Sequence, residues 1–258
     1  MNARSFSELT MPAERQLDVY LLPALVEPAE LAGKTAVVID VLRATTTVIH
    51  ALACGATQVL PCLEVEETLE TAAACLLRGE SAIRGGERGG RQIPGFELGN
   101  SPAEYSRQVV GGKTVVFTTT NGTRAMLRCR QARRVLIGAF VNFSAVCREL
   151  GGESRIALVC AGTDGHVTRE DTLLAGAIAS DLAREGSWRL NDQAEIAADS
   201  WQTAVRLMTD RPLGILLRGS RGGRNLIDIG QENDIDLAAQ IDKFDIVPEL
   251  DLLAWRIR

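Results

Sequence analysis

The stretch that decides the fold runs from Gly33 to Leu60, GKTAVVIDVLRATTTVIHALACGATQVL, and is echoed from Gly112 to Gly138 by GKTVVFTTTNGTRAMLRCRQARRVLIG. Both open on the same tripeptide. Each continues with a β-branched apolar run, a Thr-rich polar loop, a segment with apolar residues at helical spacing, and a second apolar run. That is the order of a βαβ unit, and its recurrence marks an internal repeat. A third, partial copy follows, in which RIALVCAG (155–162) is a predicted strand, TDGHVTRED (163–171) a polar loop and TLLAGAIASDLARE (172–185) a predicted helix. Strands alternating with helices predict an α/β protein of three-layer α/β/α architecture with a mainly parallel sheet. We read residues 1–258 as a single domain with pseudo-repeat halves of about 17–110 and 111–258, since no low-complexity linker divides them.

Of the 258 residues, 46% are hydrophobic and 24% charged, enough apolar material for a sizeable core. The net charge of −5 gives no general pull toward nucleic acid or an anionic membrane, so any bound anion must meet a local basic site. The N-terminus, MNARSFSELTMPAERQLDVY, lacks the apolar core of a signal peptide, and later apolar stretches are broken by charge, Gly or Pro; a cytoplasmic location without membrane association is the expectation. The six cysteines form no close CxxC pair and read as reduced and mostly buried. With only two histidines, zinc is poorly supported, and metal chemistry here would use oxygen ligands. Whether the chain forms a homo-oligomer is left open.

In open parallel sheets ligands gather at the carboxyl ends of strands. Those ends carry DVLRATTT (40–47), TTTNGTR (118–124) and AGTDGHVTRED (161–171). Any one of these loops reads equally as a set of helix caps, but three together point to a site. Asp40 at a strand end, beside Arg43 and helix N-terminal amides, suits a metal ion with a phosphoryl group, the alternative being an Asp40–Arg43 ion pair. Asn121 and Gly122 supply a tight turn whose following amides, of Gly122 and Thr123, can meet an anion. Glu87 lies in GGERGGRQIPGFELGN (85–100), a stretch too Gly-rich for an element interior and read as a long ordered loop, with Arg84, Arg88 and Arg91 nearby. NSPAEY then reads as a helix start with Ser101 as N-cap. Asp164, Glu170 and Asp171 offer oxygen ligands, although Glu170 and Asp171 also suit the start of the next helix through its dipole. Further on, ADSWQTAVRLM (198–208) is a predicted helix and GSRGGRN (219–225) a predicted loop.

Several classes are excluded. GGKT at Gly111 is no P-loop, because Arg107 stands where the earlier glycine is needed and the tripeptide opens a strand. Leu42 occupies the place of the second Asp of a haloacid dehalogenase motif. Two histidines and no GxSxG elbow leave a serine hydrolase without support. An RGG-type RNA segment is opposed by the acidic net charge and the lack of interleaved aromatics.

Taken in order, DVLRATTT, the GER of Gly86 to Arg88, PGFELGNSP, TTTNGTRA and CAGTDG with the later Glu170-Asp171 closely resemble the motif blocks of the 2-phosphosulfolactate phosphatase family, over roughly residues 17–250. The resemblance implies an α/β phosphatase that uses Mg²⁺ to hydrolyse 2-phospho-3-sulfolactate, a small anionic phosphoester, to 3-sulfolactate and phosphate. The best-known setting of that step is coenzyme M biosynthesis, although the family also occurs where coenzyme M is not made. Phosphoryl transfer asks mainly for positioning and charge neutralisation. On that basis Asp40, Arg43 and Glu87 are candidate catalytic groups, and Asp40, Glu87, Asp164 and Asp171 are candidate metal ligands. Thr45, Thr46, Arg91, Asn100, Ser101, Thr119, Asn121, Gly122, Thr123 and Arg124 are candidates for holding the substrate. The alternatives are a phosphatase for a different phosphorylated hydroxy acid and a non-catalytic anion-binding domain.

Overall fold

Every residue of TAVVI (35–39) and of TVVFT (114–118) is buried, as expected of strands covered on both faces. The computed structural model describes residues 15–184, 186–209 and 212–258; residues 1–14 of the N-terminal stretch quoted above lie outside them. The first half of the chain gives β1 (Arg15–Tyr20), β2 (Thr35–Ile39), α1 (Ala44–Ala53), β3 (Gln58–Cys62), α2 (Val65–Leu77), β4 (Ala82–Arg88), β5 (Arg91–Gln92) and α3 (Arg107–Val110). The second gives β6 (Thr114–Thr118), α4 (Gly122–Arg128), β7 (Arg134–Gly138), α5 (Phe143–Leu150), β8 (Arg155–Cys160), α6 (Arg169–Leu182), β9 (Trp188–Leu190) and α7 (Asp192–Met208). Then follow α8 (Leu213–Arg218), α9 (Arg221–Asp228), α10 (Asn233–Ala238), β10 (Leu250–Asp251) and β11 (Arg256–Ile257).

The parallel, helix-covered strands are as the sequence predicts, but they are dealt to two sheets. One has the order β7-β2-β8-β1-β9 with every pair parallel; the other has the order β10-β11-β3-β6-β4-β5, with β3, β6 and β4 parallel and antiparallel edges. The two repeats are therefore not βαβ units within one sheet. From β2 in the first sheet, α1 leads to β3 in the second; from β6 in the second, α4 leads back to β7 in the first. A strand-helix-strand pattern fixes the order of elements and leaves open which sheet receives the second strand.

Alternation along the strands separates three cores. Ala36 and Val38 of β2 face a core that also holds Val115 and Phe117 of β6, Val48 and Ile49 of α1, and Ala125 and Met126 of α4. Val37 and Ile39 face the opposite way, onto Leu173, Ala177 and Ile178 of α6 and Val146 and Leu150 of α5. On the far side of the second sheet, Val116 meets Ala72 and Cys75 of α2. Helices α1 and α4 thus lie in the core between the sheets, and each sheet is covered on both faces. None of the six cysteines is in a disulfide. Among the described residues no helix is long and apolar enough to cross a membrane.

Three local readings are corrected. Gly85 and Gly86 belong to β4, because a Cβ at those positions would lie 2.0 Å from the Tyr105 hydroxyl and 2.2 Å from the Thr118 carbonyl. Pro102–Glu104 forms only a single 3₁₀ turn, and the Ser101 hydroxyl, instead of capping it, bonds Asp234. GSRGGRN enters a helix, α9, in which Ser220 is the N-cap and accepts from the Gly223 amide at 3.0 Å.

Candidate active site

The polar loops of the two repeats meet face to face at the carboxyl ends of β2 and β6. A Cβ on Gly122 would lie 2.6 Å from Ala44 Cβ and 3.0 Å from Asp40 Oδ2, so the starts of α1 and α4 nearly touch. Aligning the repeats on Gly33 and Gly112 makes Asp40 and Thr119 equivalent, and their local bonding matches. Asp40 Oδ1 accepts from the Ala44 amide at 3.2 Å, and Thr119 Oγ1 accepts from the Thr123 amide at 3.3 Å. Around this junction is a cavity of about 290 Å³. Asp40 and Arg43 enter it from the loop after β2, Thr163 and Asp164 from that after β8, Thr119 to Asn121 from that after β6, and Glu87, Gly89 and Gly90 from the end of β4, while α9 supplies a wall through Gly222, Asn225 and Asp228.

Carboxylates stand in it, Asp40 and Glu87, and are buried behind it, Glu170 and Asp171. Burial, opposed by the Ala44 amide and reinforced by the charges of Glu87 and Glu170, pushes the Asp40 carboxyl up to about 7. Glu170, at the start of α6, is also raised, chiefly by burial; its Oε1 accepts from the Gly222 amide at 3.1 Å and its Oε2 is buried with no hydrogen-bond partner. Asp171 is raised well above the usual carboxylate range by burial and then by the charges of Asp40 and Glu170. Both oxygens of Glu87 are used, Oε1 by the Thr120 amide at 2.7 Å and Oε2 by the Gly90 amide at 2.8 Å.

Arg43 is buried and does not pair with Asp40. Its Nη1 donates to Asp234 Oδ2 of α10 at 2.7 Å and to Gln231 Oε1, and its Nη2 donates to the Gly90 carbonyl at 2.6 Å.

Comparison with known proteins bears on what this acidic crevice does. The sequence model of the 2-phosphosulpholactate phosphatase family matches residues 20–252. The chain belongs to that family. It is accordingly a hydrolase of phosphate monoesters. A Thermotoga maritima protein called "Probable 2-phosphosulfolactate phosphatase" is 39% identical over 234 residues, covering 91% of this chain and 95% of the relative. Proteins of the same name from Symbiobacterium thermophilum and Deinococcus radiodurans are 42% and 43% identical, covering 86% and 83% of this chain and 94% and 87% of their own lengths.

Within this phosphatase the candidates from sequence separate into groups. Asp40, Arg43, Glu87, Asn100, Thr119, Asn121 and Asp164 all line the cavity. Thr45 and Thr46 are wholly buried, and their hydroxyls donate to the Asp40 and Val41 carbonyls at 2.8 Å each, holding the loop from behind. Thr123 and Gly122 are buried at the helix start behind Thr119. Ser101 bonds Asp234, while Arg91 and Arg124 are exposed and outside the lining. The four carboxylates named as metal ligands are not gathered into one cluster: Asp171 spends both oxygens on the Val41 and Gly162 amides, at 2.9 and 3.0 Å, and Asp164 is exposed. Among the described residues no three His, Cys, Asp or Glu side chains form an all-protein metal cage.

The oxygen donors nevertheless fit Mg²⁺, which is commonly held by one or two carboxylates and completed by water and substrate oxygens. Asp40, and Glu170 with its unpartnered Oε2, are the residues suited to hold it. Sequence reasoning passed over Thr120, whose hydroxyl is buried at the cavity without a partner, and the whole α9 wall. Thr120 sits inside the quoted TTTNGTR motif and was within reach; α9 was hidden by its glycines.

Proposed function

We propose that the chain hydrolyses 2-phospho-3-sulfolactate to 3-sulfolactate and phosphate with Mg²⁺ as cofactor. The observation that carries the reading is the meeting of the buried carboxylates Asp40 and Glu87 with the hydroxyl- and amide-rich turn that follows β6, inside a cavity sized for a small molecule, with the charge of Glu170 close behind Asp40. Buried like charges repel one another, and a pure anion binder gains nothing from them, whereas a cation-dependent phosphatase does. When bound, Mg²⁺ neutralises charge on the phosphoryl oxygens and polarises the ester. Asp40 and Glu170 would hold the cation. Thr119, Thr120, Asn121 and Asn100 bring hydroxyl and amide groups to the phosphate and the carbon skeleton, and Arg43 contributes fixed N–H donors. The Glu87 carboxylate, tied at both oxygens to backbone amides, fixes the β6 turn against the Gly89–Gly90 turn. Six cysteines without a disulfide fit a reducing, cytoplasmic setting.

Phosphate release from 2-phosphosulfolactate, with Mg²⁺ and with EDTA, tests the reading. Metal-dependent turnover is expected, and Asp40→Asn lowers kcat by roughly 10²–10⁴-fold, the range of a group acting directly on a transferred or activated species. A folded protein that releases no phosphate from this substrate in either condition, or an Asp40→Asn variant of full rate, overturns it.

A further inference from the structure

Arg43 is 3% exposed, and three of the five N–H donors of its guanidinium are committed within the protein, to Asp234, Gln231 and the Gly90 carbonyl. Asp234, also 3% exposed, holds Arg43 with Oδ2 at 2.7 Å and accepts the Ser101 hydroxyl on Oδ1 at 2.6 Å. We propose that Asp234 is a positioning residue that acts through Arg43, making the segment from α9 to α10 part of the phosphoryl-binding site. The proposal rests on the phosphatase reading above.

Chemistry favours it over a plain structural pair. An arginine kept only to neutralise phosphate is weakened by a carboxylate at contact distance, because the two anions compete for it. What a two-point clamp from Asp234 and Gly90 gives is orientation: the planar fork is pinned along its Nη edge, and the N–H donors left over on a residue that lines the cavity are fixed in direction. Fixed donors stabilise a phosphoryl group without reorganising as the reaction proceeds.

Topology supports it independently. Two segments bond Arg43, the Gly89–Gly90 turn and the stretch carrying Gln231 and Asp234; the turn lines the cavity beside Arg43, as do Asn225, Asp228 and Ile229 just ahead of Gln231 and Asn100 next to Ser101, the other partner of Asp234. Asp234 does not itself line the cavity, so any effect it has on catalysis must pass through its partners.

A double-mutant cycle on the full-length protein is the test, with kcat, KM, affinity for inorganic phosphate by calorimetry and the melting midpoint read for each variant. Asp234→Ala lowers kcat/KM by about 100-fold in the wild-type background, and by less than about twofold in an Arg43→Gln background, because the group it positions is already gone. Asp234→Asn keeps an acceptor for Arg43 and restores activity to within about fivefold of wild type, and Ser101→Ala lowers kcat/KM about fivefold without moving the melting midpoint. Losses that multiply in the double variant, or an Asp234→Ala enzyme within twofold of wild type, overturn the proposal. Should Asp234→Ala fail to fold, Asp234→Asn and Ser101→Ala carry the same cycle against Arg43→Gln. A wild-type protein that turns over no phosphomonoester overturns the functional reading alone, and the cycle is then read from phosphate affinity, where independence of Asp234 and Arg43 overturns the positioning role. Absence of both turnover and phosphate binding overturns both.

Discussion

Asp40, just after β2, and Asp171, in the first turn of α6, are both buried carboxyls, yet they do different work because their oxygens are spent differently. Asp171 bonds the amides of Val41 and Gly162 and so ties the loop after β2 to the loop after β8. Asp171→Ala leaves two buried amides without acceptors, and at about 1–3 kcal/mol each the expected loss of folding stability is about 2–6 kcal/mol, read by denaturant titration. Asp171→Asn, which keeps one acceptor, loses less; equal losses for the two variants contradict the assignment. Asp40 has a carboxyl raised to about 7, so metal binding to the free protein displaces a proton at lower pH. Mg²⁺ affinity by calorimetry is expected to weaken by up to about tenfold for each pH unit below 7 and to level off above it, and Asp40→Asn to flatten the curve. A wild-type affinity constant from pH 5.5 to 8 places the cation elsewhere. Asp40 was legible as a carboxylate at a predicted strand end, and Glu87 as the acid of a Gly- and Arg-rich stretch. Asp234 was not: its role depends on a contact with Arg43, 191 positions away in sequence, and nothing around it marks the pairing.

Among the elements, the repeat was the most readable feature and its outcome the least. Spacing alone predicted β2-α1 and β6-α4, and the matching bonds of Asp40 to Ala44 and Thr119 to Thr123 show the two copies doing the same local job. That one carries a carboxylate and the other a hydroxyl is why a single cavity has an acidic side and a neutral, amide-lined side. Element α9 was read as a loop because Gly222 and Gly223 are poor helix formers. Their reason is tertiary, since a Cβ on Gly222 would lie 2.0 Å from Glu170 Oε1 and one on Gly223 2.0 Å from the Leu217 carbonyl. Gly222→Ala must therefore displace the Glu170 carboxylate or the α9 wall that faces it. The expected result is a destabilisation of about 1–3 kcal/mol, typical of overpacking, together with a clear fall in kcat/KM. An alanine variant with wild-type kinetics and stability shows that α9 is not seated on Glu170.

At the scale of the whole molecule, the crossing of the repeats between sheets puts α1 and α4 in the shared core and the site at its rim. The sequence showed the strands and their burial, but sheet membership is decided by which apolar faces match, a property of packing that no single segment carries. That shared core also holds a titratable group unconnected with the site. His50 of α1 is 5% exposed, its ring lies edge-on to Phe244 at 4.8 Å, and its Nε2 has no hydrogen-bond partner. Burial, and secondarily the charge of Lys243, hold its imidazole down at about 4 against an ordinary 6.5. Between those values the unfolded chain binds a proton that the native protein refuses, so stability from this residue falls as pH drops from 6.5 to 4 and is level outside that window. The raised carboxyl of Asp40 acts in the opposite direction, binding a proton in the native state between about 7 and its ordinary 3.8, so the total curve mixes the two. A difference measurement separates them. Comparing wild type with His50→Leu by urea unfolding, the variant is expected to gain on the wild type by at most about 3 kcal/mol as pH is lowered from 7.5 to 4. A gap that stays constant across this range shows that His50 is protonated in the native protein, and hence that the core between the two sheets admits water where the packing of α1 against Phe244 places none.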